Sequence, residues 1–304
     1  MKNCTILCNP NSGSNDKEKI IESFKQILMK NGYNCDVVFT KYGGHAKKIV
    51  SSINKTDLLI SLGGDGTFNE VVNGNLERKE KILLAHIPLG TTNDLGAMFG
   101  MGKDPINNLK LLLNGKVKKM DICTINDVPF VYVAGLGKFI NVAYDTPRKL
   151  KKRYGYFAYL IEGVKSFFSK TNLFELTYEE DGKKCTGLYS FVLICNASRM
   201  GGFDFFKNVK LDDGQMEILL CNLRTKKEML KSLYYLKTSD ITKVPGFYFF
   251  RSKHIKITLK EEPRKDWCID GEKYKDRSKV FDIKIDKSVD MLLPQSEIDN
   301  IFLK

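Results

Sequence analysis

The sequence predicts an α/β protein in two parts: a parallel sheet with helices on both faces, then a mostly antiparallel β domain. Three observations carry that prediction. Over residues 1–123, short apolar runs alternate with segments of helical spacing. Three of those runs lead directly into loops of small residues: NPNSG at 9–13, GGDG at 63–66 and PLGTTND at 88–94. From 124 onward strand-like runs dominate, and Asp-Gly pairs separate several of them.

The elements follow in order. The apolar run 4–8 gives way to the Asn9-Pro10 loop. Residues 16–31 space Ile20, Ile21, Phe24, Ile27 and Leu28 as one helical stripe; Asn15 or Asp16 stands where a cap is wanted and Gly32 where a helix ends. CDVVF at 35–39 reads as a second strand and 45–53 as a second helix. LLISL at 58–62 is a third strand, 67–76 a third helix and ILLAHI at 82–87 a fourth strand. Such repeats imply a parallel sheet covered on both faces. Ligands of these sheets sit beyond the carboxyl ends of the strands, so the three loops are expected to gather on one edge. In the second part, 129–134, 173–179, 188–195, 216–221, 255–259 and 280–285 read as strands, with turns at Asp181–Gly182, Asp213–Gly214 and Asp270–Gly271. A basic, aromatic stretch at 154–169 reads as a helix. The expected domains are 1–123 and 124–290, with the tail 291–304 a candidate to return to the first.

Composition narrows the function. The 304 residues are 42% hydrophobic and 28% charged, as in ordinary globular proteins, but the net charge is +13. That balance favours an anionic partner: nucleic acid, a nucleotide or an acidic membrane surface. No nucleic-acid-binding motif accompanies it. Eight cysteines (Cys4, Cys8, Cys35, Cys123, Cys185, Cys195, Cys221 and Cys268) form no CxxC pair, and only three histidines are present, so no zinc site is expected. Most of these cysteines lie in apolar runs and read as small buried hydrophobes of a reducing compartment. The N-terminal apolar stretch is too short for a signal peptide, and no run reaches the ~18 apolar residues of a membrane span. A cytosolic protein is expected, free to lie reversibly against a membrane.

The stretch LGGDGTFNE at 62–70 places three glycines around one carboxylate, just before a helical segment. Glycines let backbone amides approach a ligand, and a helix start adds partial positive charge; together they form an anion cradle. Asp65 would repel a bare phosphate, so a cation is implied between them, and Mg²⁺ arrives with nucleotide phosphates. The competing reading is a plain turn. Neither GxxxxGK[ST] nor a GxGxxG after a strand is present.

GGDGTFNEVVNG at 63–74 resembles the catalytic-domain signature of the diacylglycerol kinase family, shared by bacterial soluble lipid kinases, by sphingosine kinases and, more distantly, by NAD kinases. NPNSG at 9–13, PLGTTNDLG at 88–96, KMDI at 119–122, KLDDGQMEI at 210–218 and IDGE at 269–272 resemble further motifs of that family, in family order. The resemblance implies a Rossmann-like N-terminal nucleotide domain, a C-terminal β-sandwich and an active site in the cleft between them. It implies transfer of the ATP γ-phosphoryl group to a lipid hydroxyl, first of all that of diacylglycerol; phosphatidylglycerol, a sphingoid base or, more remotely, NAD are the alternative acceptors. A non-catalytic lipid or nucleotide sensor is the rival from another class.

By resemblance, Asn9, Asn11, Ser12, Gly13, Thr40, Gly63, Gly64, Asp65, Gly66, Thr67, Thr91 and Asn93 line the nucleotide. Thr67 reads equally as a helix cap, with Glu70 completing a capping box. Asp65, Asp94 and Asp121 correspond to carboxylates that hold a Mg²⁺–water network; alone, Asp94 reads as a cap and Asp121 as a strand end. Asp213, with the carbonyls of Lys210 and Gln215, corresponds to a structural Mg²⁺ site, though Asp-Asp-Gly is also a plain turn. Glu272 corresponds to the general base, with Asp270 supporting the phosphate or metal; an exposed hairpin is the bland reading of both. The run RKLKKR at 148–153, followed by an aromatic segment, is a candidate contact with anionic lipid or else a solvated loop before a core helix. Pairing into a homodimer rests on family analogy alone.

Overall fold

The computed structural model describes residues 1–13, 16–90, 92–138, 172–238 and 244–303, with backbone alone at 203 and 233–238. Thr91, the basic run 148–153 and the segment 154–169 lie outside the described residues.

The chain divides into two compact units: Met1–Asp121 with Lys210–Asp212 and Lys287–Lys304, and Ile122–Val209 with Asp213–Asp286. The first unit alternates β1 (Lys2–Cys8), α1 (Lys17–Lys30), β2 (Tyr33–Phe39), α2 (His45–Ser52), β3 (Leu58–Gly63), α3 (Asp65–Glu77), β4 (Leu83–Pro88), α4 (Asp94–Met98) and α5 (Pro105–Leu113). Its strands lie in the order β2-β1-β3-β4, all parallel, with Ile6 beside Ile60 and Ile60 beside Ala85. Every residue of β3 is buried, as its unbroken apolar run requires. The stripe on α1 turns Ile21, Phe24 and Leu28 inward. Asp16 occupies the N-cap position of α1 but makes no side-chain cap bond. Helix α5 carries its own start signal: Asp104 accepts from the Ile106 amide at 2.9 Å, with Pro105 at the first helical position.

Strand β5 (Lys116–Ile125) carries the chain into the second unit. There follow β6 (Val128–Phe130), β7 (Val133–Gly137), β8 (Phe174–Glu180), β9 (Lys183–Tyr189), β10 (Phe191–Cys195), β11 (Arg199–Met200), β12 (Phe203–Asp204), β13 (Met216–Cys221), α6 (Lys226–Thr238), β14 (Phe247–Ser252), β15 (His254–Leu259), β16 (Trp267–Ile269) and β17 (Glu272–Tyr274). Strand β18 (Val280–Leu293) returns to the first unit, where Met291 pairs with Leu84 and α7 (Gln295–Ile301) closes the chain.

One antiparallel sheet of the second unit runs β14-β13-β10-β7-β16-β17; β9, β8, β15 and the first part of β18 make another. Val192, Ile194, Ile218, Leu220 and Trp267 from the first share one core with Leu176, Ile255, Ile257, Phe281 and Ile283 from the second, so the unit is a β-sandwich. Its hairpins turn where expected: Asp181–Gly182 and Asp270–Gly271 both take positive φ at the two central residues, the geometry that joins tightly twisted strands. All eight cysteines are free; six are buried, as expected for most of them, while Cys185 is exposed and Cys35 half-buried.

Candidate active site

In the first unit the three small-residue loops meet at the carboxyl ends of the strands. Asn9 donates from Nδ2 to Thr67 Oγ1 at 2.9 Å, which joins the β1 loop to the start of α3. Gly13 (φ +70) lies so close to the β4 loop that a Cβ would stand 2.7 Å from the Leu89 carbonyl oxygen. A second close approach joins Gly64 to Gly90: a Cβ on Gly90 would stand 2.8 Å from the Gly64 Cα and 2.7 Å from Asn93 Oδ1. Only glycine permits that distance. The Leu89 amide bonds the Gly63 carbonyl at 2.6 Å, and the Thr40 amide bonds that of Cys8 at 2.9 Å, which brings the β2 end to the same edge. Within the β1 loop, Asn9 Oδ1 accepts from the Asn11 amide, and Ser12 Oγ donates to the Asn9 carbonyl. These contacts bring Asn9, Asn11, Ser12, Gly13, Thr40, Gly63, Gly64, Thr67 and Asn93 to one edge of the sheet, where the three loops were expected to gather. Thr91 is not among the described residues.

Helix α3 starts earlier than the sequence predicts, at Asp65, with Gly64 as its N-cap. Thr67 is therefore the third helical residue, and the capping box with Glu70 does not form. Glu70 instead accepts from the amides of Gly44 (2.7 Å) and Ala46 (3.0 Å), capping α2. Asp65 does the same for α4: its carboxylate accepts from the amides of Asp94 (3.0 Å) and Leu95 (3.3 Å). Asn93 is the formal N-cap of α4, held in the left-handed region at φ 52. Asp94 is buried, and Asp121 is half-buried at the point where its amide bonds the Leu211 carbonyl. The described residues contain no group of three or more His, Cys, Asp or Glu side chains placed to hold a metal by themselves.

The KLDDG turn is built by two anchors. Lys210 Nζ donates to the carbonyls of Asp299, Asn300 and Phe302 and so caps the C-terminus of α7, while Asp212 accepts from the Leu303 amide at 2.6 Å. Asp213 accepts from the Gln215 amide at 2.9 Å, and Gly214 takes φ +71. Carboxylate and peptide oxygens are hard donors, so the chemistry of this turn suits Mg²⁺.

In the second unit, Glu272 opens β17 and is exposed. Asp270, two residues earlier, is buried, with φ +46. Its Oδ2 accepts from the Val131 amide at 2.6 Å; its Oδ1 accepts from those of Tyr132 (3.0 Å) and Val133 (2.9 Å). Burial pushes the carboxyl up to about 6 against the pull of the three amides. Both oxygens are thus committed to backbone, and the side chain fixes the turn that carries Glu272. Asp270→Ala would leave three buried amides without acceptors, at a cost of about 3–5 kcal/mol. Asp270→Asn keeps one acceptor oxygen and should fall between the two in denaturant titrations; equal stability of all three proteins would sink the anchoring role.

The sequence gives no signal for another buried carboxylate of this unit, Glu217. Its Oε1 accepts from Arg251 Nε at 3.0 Å, while its Oε2 has no hydrogen-bond partner among the described residues. Burial raises this carboxyl from 4.5 to about 7; Arg251 opposes the rise and Asp213 adds to it. Folding therefore favours the protonated form, whose contribution is complete below 4.5 and is lost as pH rises through about 7. Melting temperature is expected to fall over that window in the wild type and less in Glu217→Gln, which stays neutral throughout. Parallel curves would place the dependence elsewhere.

The same unit holds a cavity of about 520 Å³, lined by Leu136, Lys138, Phe174, Leu188, Leu259 and Arg264 among others. Such a volume suits a small molecule or part of a lipid. No short motif announces it, because its lining comes from four separate stretches of chain.

A parallel α/β unit with this loop cluster, joined to a β-sandwich, defines a phosphate-handling protein of two units. Comparison with known proteins makes the class specific. The diacylglycerol kinase catalytic domain matches residues 3–125. Diacylglycerol kinase of Staphylococcus epidermidis is 30% identical over 262 residues, covering 84% of this chain and 82% of the relative. The enzyme of Bacillus subtilis is 28% identical over 277 residues, 90% of each chain. A crystal structure of a diacylglycerol kinase from Bacillus anthracis shares the fold at TM-score 0.77 and 24% identity, over 96% of both chains. The chain belongs to the diacylglycerol kinase family of lipid kinases. Membership in that family implies a nucleotide phosphoryl donor. Among the described residues, no helix is long and apolar enough to cross a membrane.

Proposed function

We propose that the chain transfers the γ-phosphoryl group of ATP to the free hydroxyl of diacylglycerol, giving phosphatidic acid. The observation that carries this reading is the mutual contact of the three glycine loops, in a chain of this family. Their amides, with Asn9, Asn11, Ser12, Thr40, Thr67, Thr91 and Asn93, hold the nucleotide and offer donors to its phosphates. Asp65, Asp94 and Asp121 serve a Mg²⁺ that arrives with the nucleotide, and the 210–215 turn holds a structural one through Asp213 with the carbonyls of Lys210 and Gln215. Bound Mg²⁺ supplies neutralisation of phosphate charge. Glu272 accepts the proton as the hydroxyl oxygen attacks the γ-phosphorus and ADP leaves. Its exposure on a turn anchored by Asp270 supports that role, since a base needs a fixed carboxylate open to substrate.

The test is γ-labelled ATP offered with diacylglycerol, with total lipid extract and with NAD in separate reactions, Mg²⁺ present or chelated. Labelled phosphatidic acid, lost on chelation, is the expected result. Label in another lipid would move the acceptor; label in NADP alone would overturn the lipid reading; no label anywhere would favour a sensor.

A further inference from the structure

Helix α6 begins with a reciprocal cap. The Glu228 amide donates to Thr225 Oγ1 at 3.2 Å, and Glu228 Oε2 accepts from the amides of Arg224 (2.7 Å) and Thr225 (3.0 Å). Those amides hold the Glu228 carboxyl below its ordinary range. Glu228 is the one acidic residue from 224 to 232, and it is folded back onto the helix start.

At about 100° per residue, the other positions sort onto opposite sides. Met229 and Ser232 are buried; Met229 joins Cys221 and Leu223 in a small apolar cluster against which Phe191 and Phe247 pack. Lys226, Lys227, Leu230 and Lys231 fall on the other side and are exposed, Leu230 by 58%. Lys226 stands one turn before Leu230, and Lys227 is its neighbour at three residues' distance. The face is therefore a leucine ringed by three lysines, with Arg224 a fourth exposed cation at its start.

A single exposed leucine needs no explanation. A leucine set among cations, with Glu228, the one acid of 224–232, drawn back onto the helix start, matches an anionic lipid surface. The apolar chain enters the acyl boundary while lysine stems lie along it and their ammonium groups reach the phosphates. Nucleic acid would use the lysines and leave the leucine idle. The charge of Lys226 on this face is also felt at the cavity. Burial first, then the charges of Lys265 and Lys226, hold the Lys138 ammonium below its ordinary range, and Lys138 lines that cavity.

We propose that this face of α6 docks on an anionic membrane surface, Leu230 inserted and Lys226, Lys227 and Lys231 at the level of the lipid phosphates. The proposal deepens the lipid-kinase reading by naming where the enzyme meets the bilayer, and it rests on that reading for its purpose. In sequence it is separate from the basic run at 148–153.

The test uses the full chain in cosedimentation with vesicles of phosphatidylcholine alone or mixed with phosphatidylglycerol. Wild type should bind the mixed vesicles and not the neutral ones. Each lysine is worth about fivefold at such a surface, so replacing Lys226, Lys227 and Lys231 by Gln should lower the partition coefficient about 100-fold. Leu230→Ser should weaken binding and leave the remainder more sensitive to salt; it also stands in if the triple variant does not fold. Both variants should keep wild-type turnover on diacylglycerol dispersed in neutral detergent. Undiminished vesicle binding by the triple variant overturns the proposal, as does equal binding of wild type to neutral vesicles. A wild type that ignores both vesicles but loses self-association in the variant overturns it in favour of a second copy. Failure to phosphorylate dispersed diacylglycerol counts against the kinase reading instead, and leaves the vesicle result to be judged alone.

Discussion

Glu272→Gln is expected to lower lipid phosphorylation by about 10²–10⁴-fold while leaving nucleotide affinity near wild type. The substitution preserves size and removes the ability to take a proton. Its surroundings should not move. Glu272 faces Ile269 across the β16–β17 ladder, and Trp267 and Tyr274 pair at the far end of it. Asp270 locks the turn between them by three amide bonds. Glu272 is not among the residues proposed to hold the nucleotide, so affinity for the nucleotide should stay near wild type. Single-turnover kinetics on diacylglycerol, read beside calorimetric titration with a non-hydrolysable nucleotide, separates the two effects. Wild-type turnover would remove Glu272 from the chemistry. Loss of affinity together with rate would point to a broken hairpin rather than a missing base.

How far such residues were legible varies with how local their cause is. LLISL reads as a buried strand because its apolar run is unbroken, and burial of all six residues of β3 follows. The loops could be placed together because parallel strands put every carboxyl end on one edge, and the contacts of Gly64 with Gly90 and of Asn9 with Thr67 realise it. Capping shows the limit. Residues 67–70 and 225–228 carry the same Thr-x-x-Glu spacing. The second pair forms a capping box, whereas Glu70 reaches the amides of Gly44 and Ala46, about two dozen residues away. What differs is where the helix begins: Gly64 starts α3 before Thr67 can cap it. Asp270 was harder still. Its partners are 137 to 139 positions distant and are brought near by the β7–β16 pairing, which no local pattern encodes. Helix α5, by contrast, carries a wholly local signal, Asp104 followed by Pro105.

Asp65→Ala is expected to reduce activity about 100-fold and to weaken nucleotide binding with it. The carboxylate does two things that alanine cannot. It accepts from the amides that open α4, so it ties the GGDG loop to the PLGTTND loop, and small displacements of positioning groups cost rates of this order. It also brings negative charge to the place where the proposed function seats phosphates, which is tolerable when a divalent cation stands between them. Asp65→Asn separates the two roles. Asparagine keeps one acceptor oxygen for the α4 amides and loses the charge. If loop clamping is the whole of the effect, the Asn protein recovers most of its activity and shows the wild-type dependence on Mg²⁺. If the charge serves the cation, the Asn protein stays as inactive as the Ala protein at ordinary Mg²⁺, and raising the Mg²⁺ concentration restores nucleotide binding in part. Full activity of Asp65→Ala would refute both roles, because the carboxylate that joins these two loops would then be dispensable.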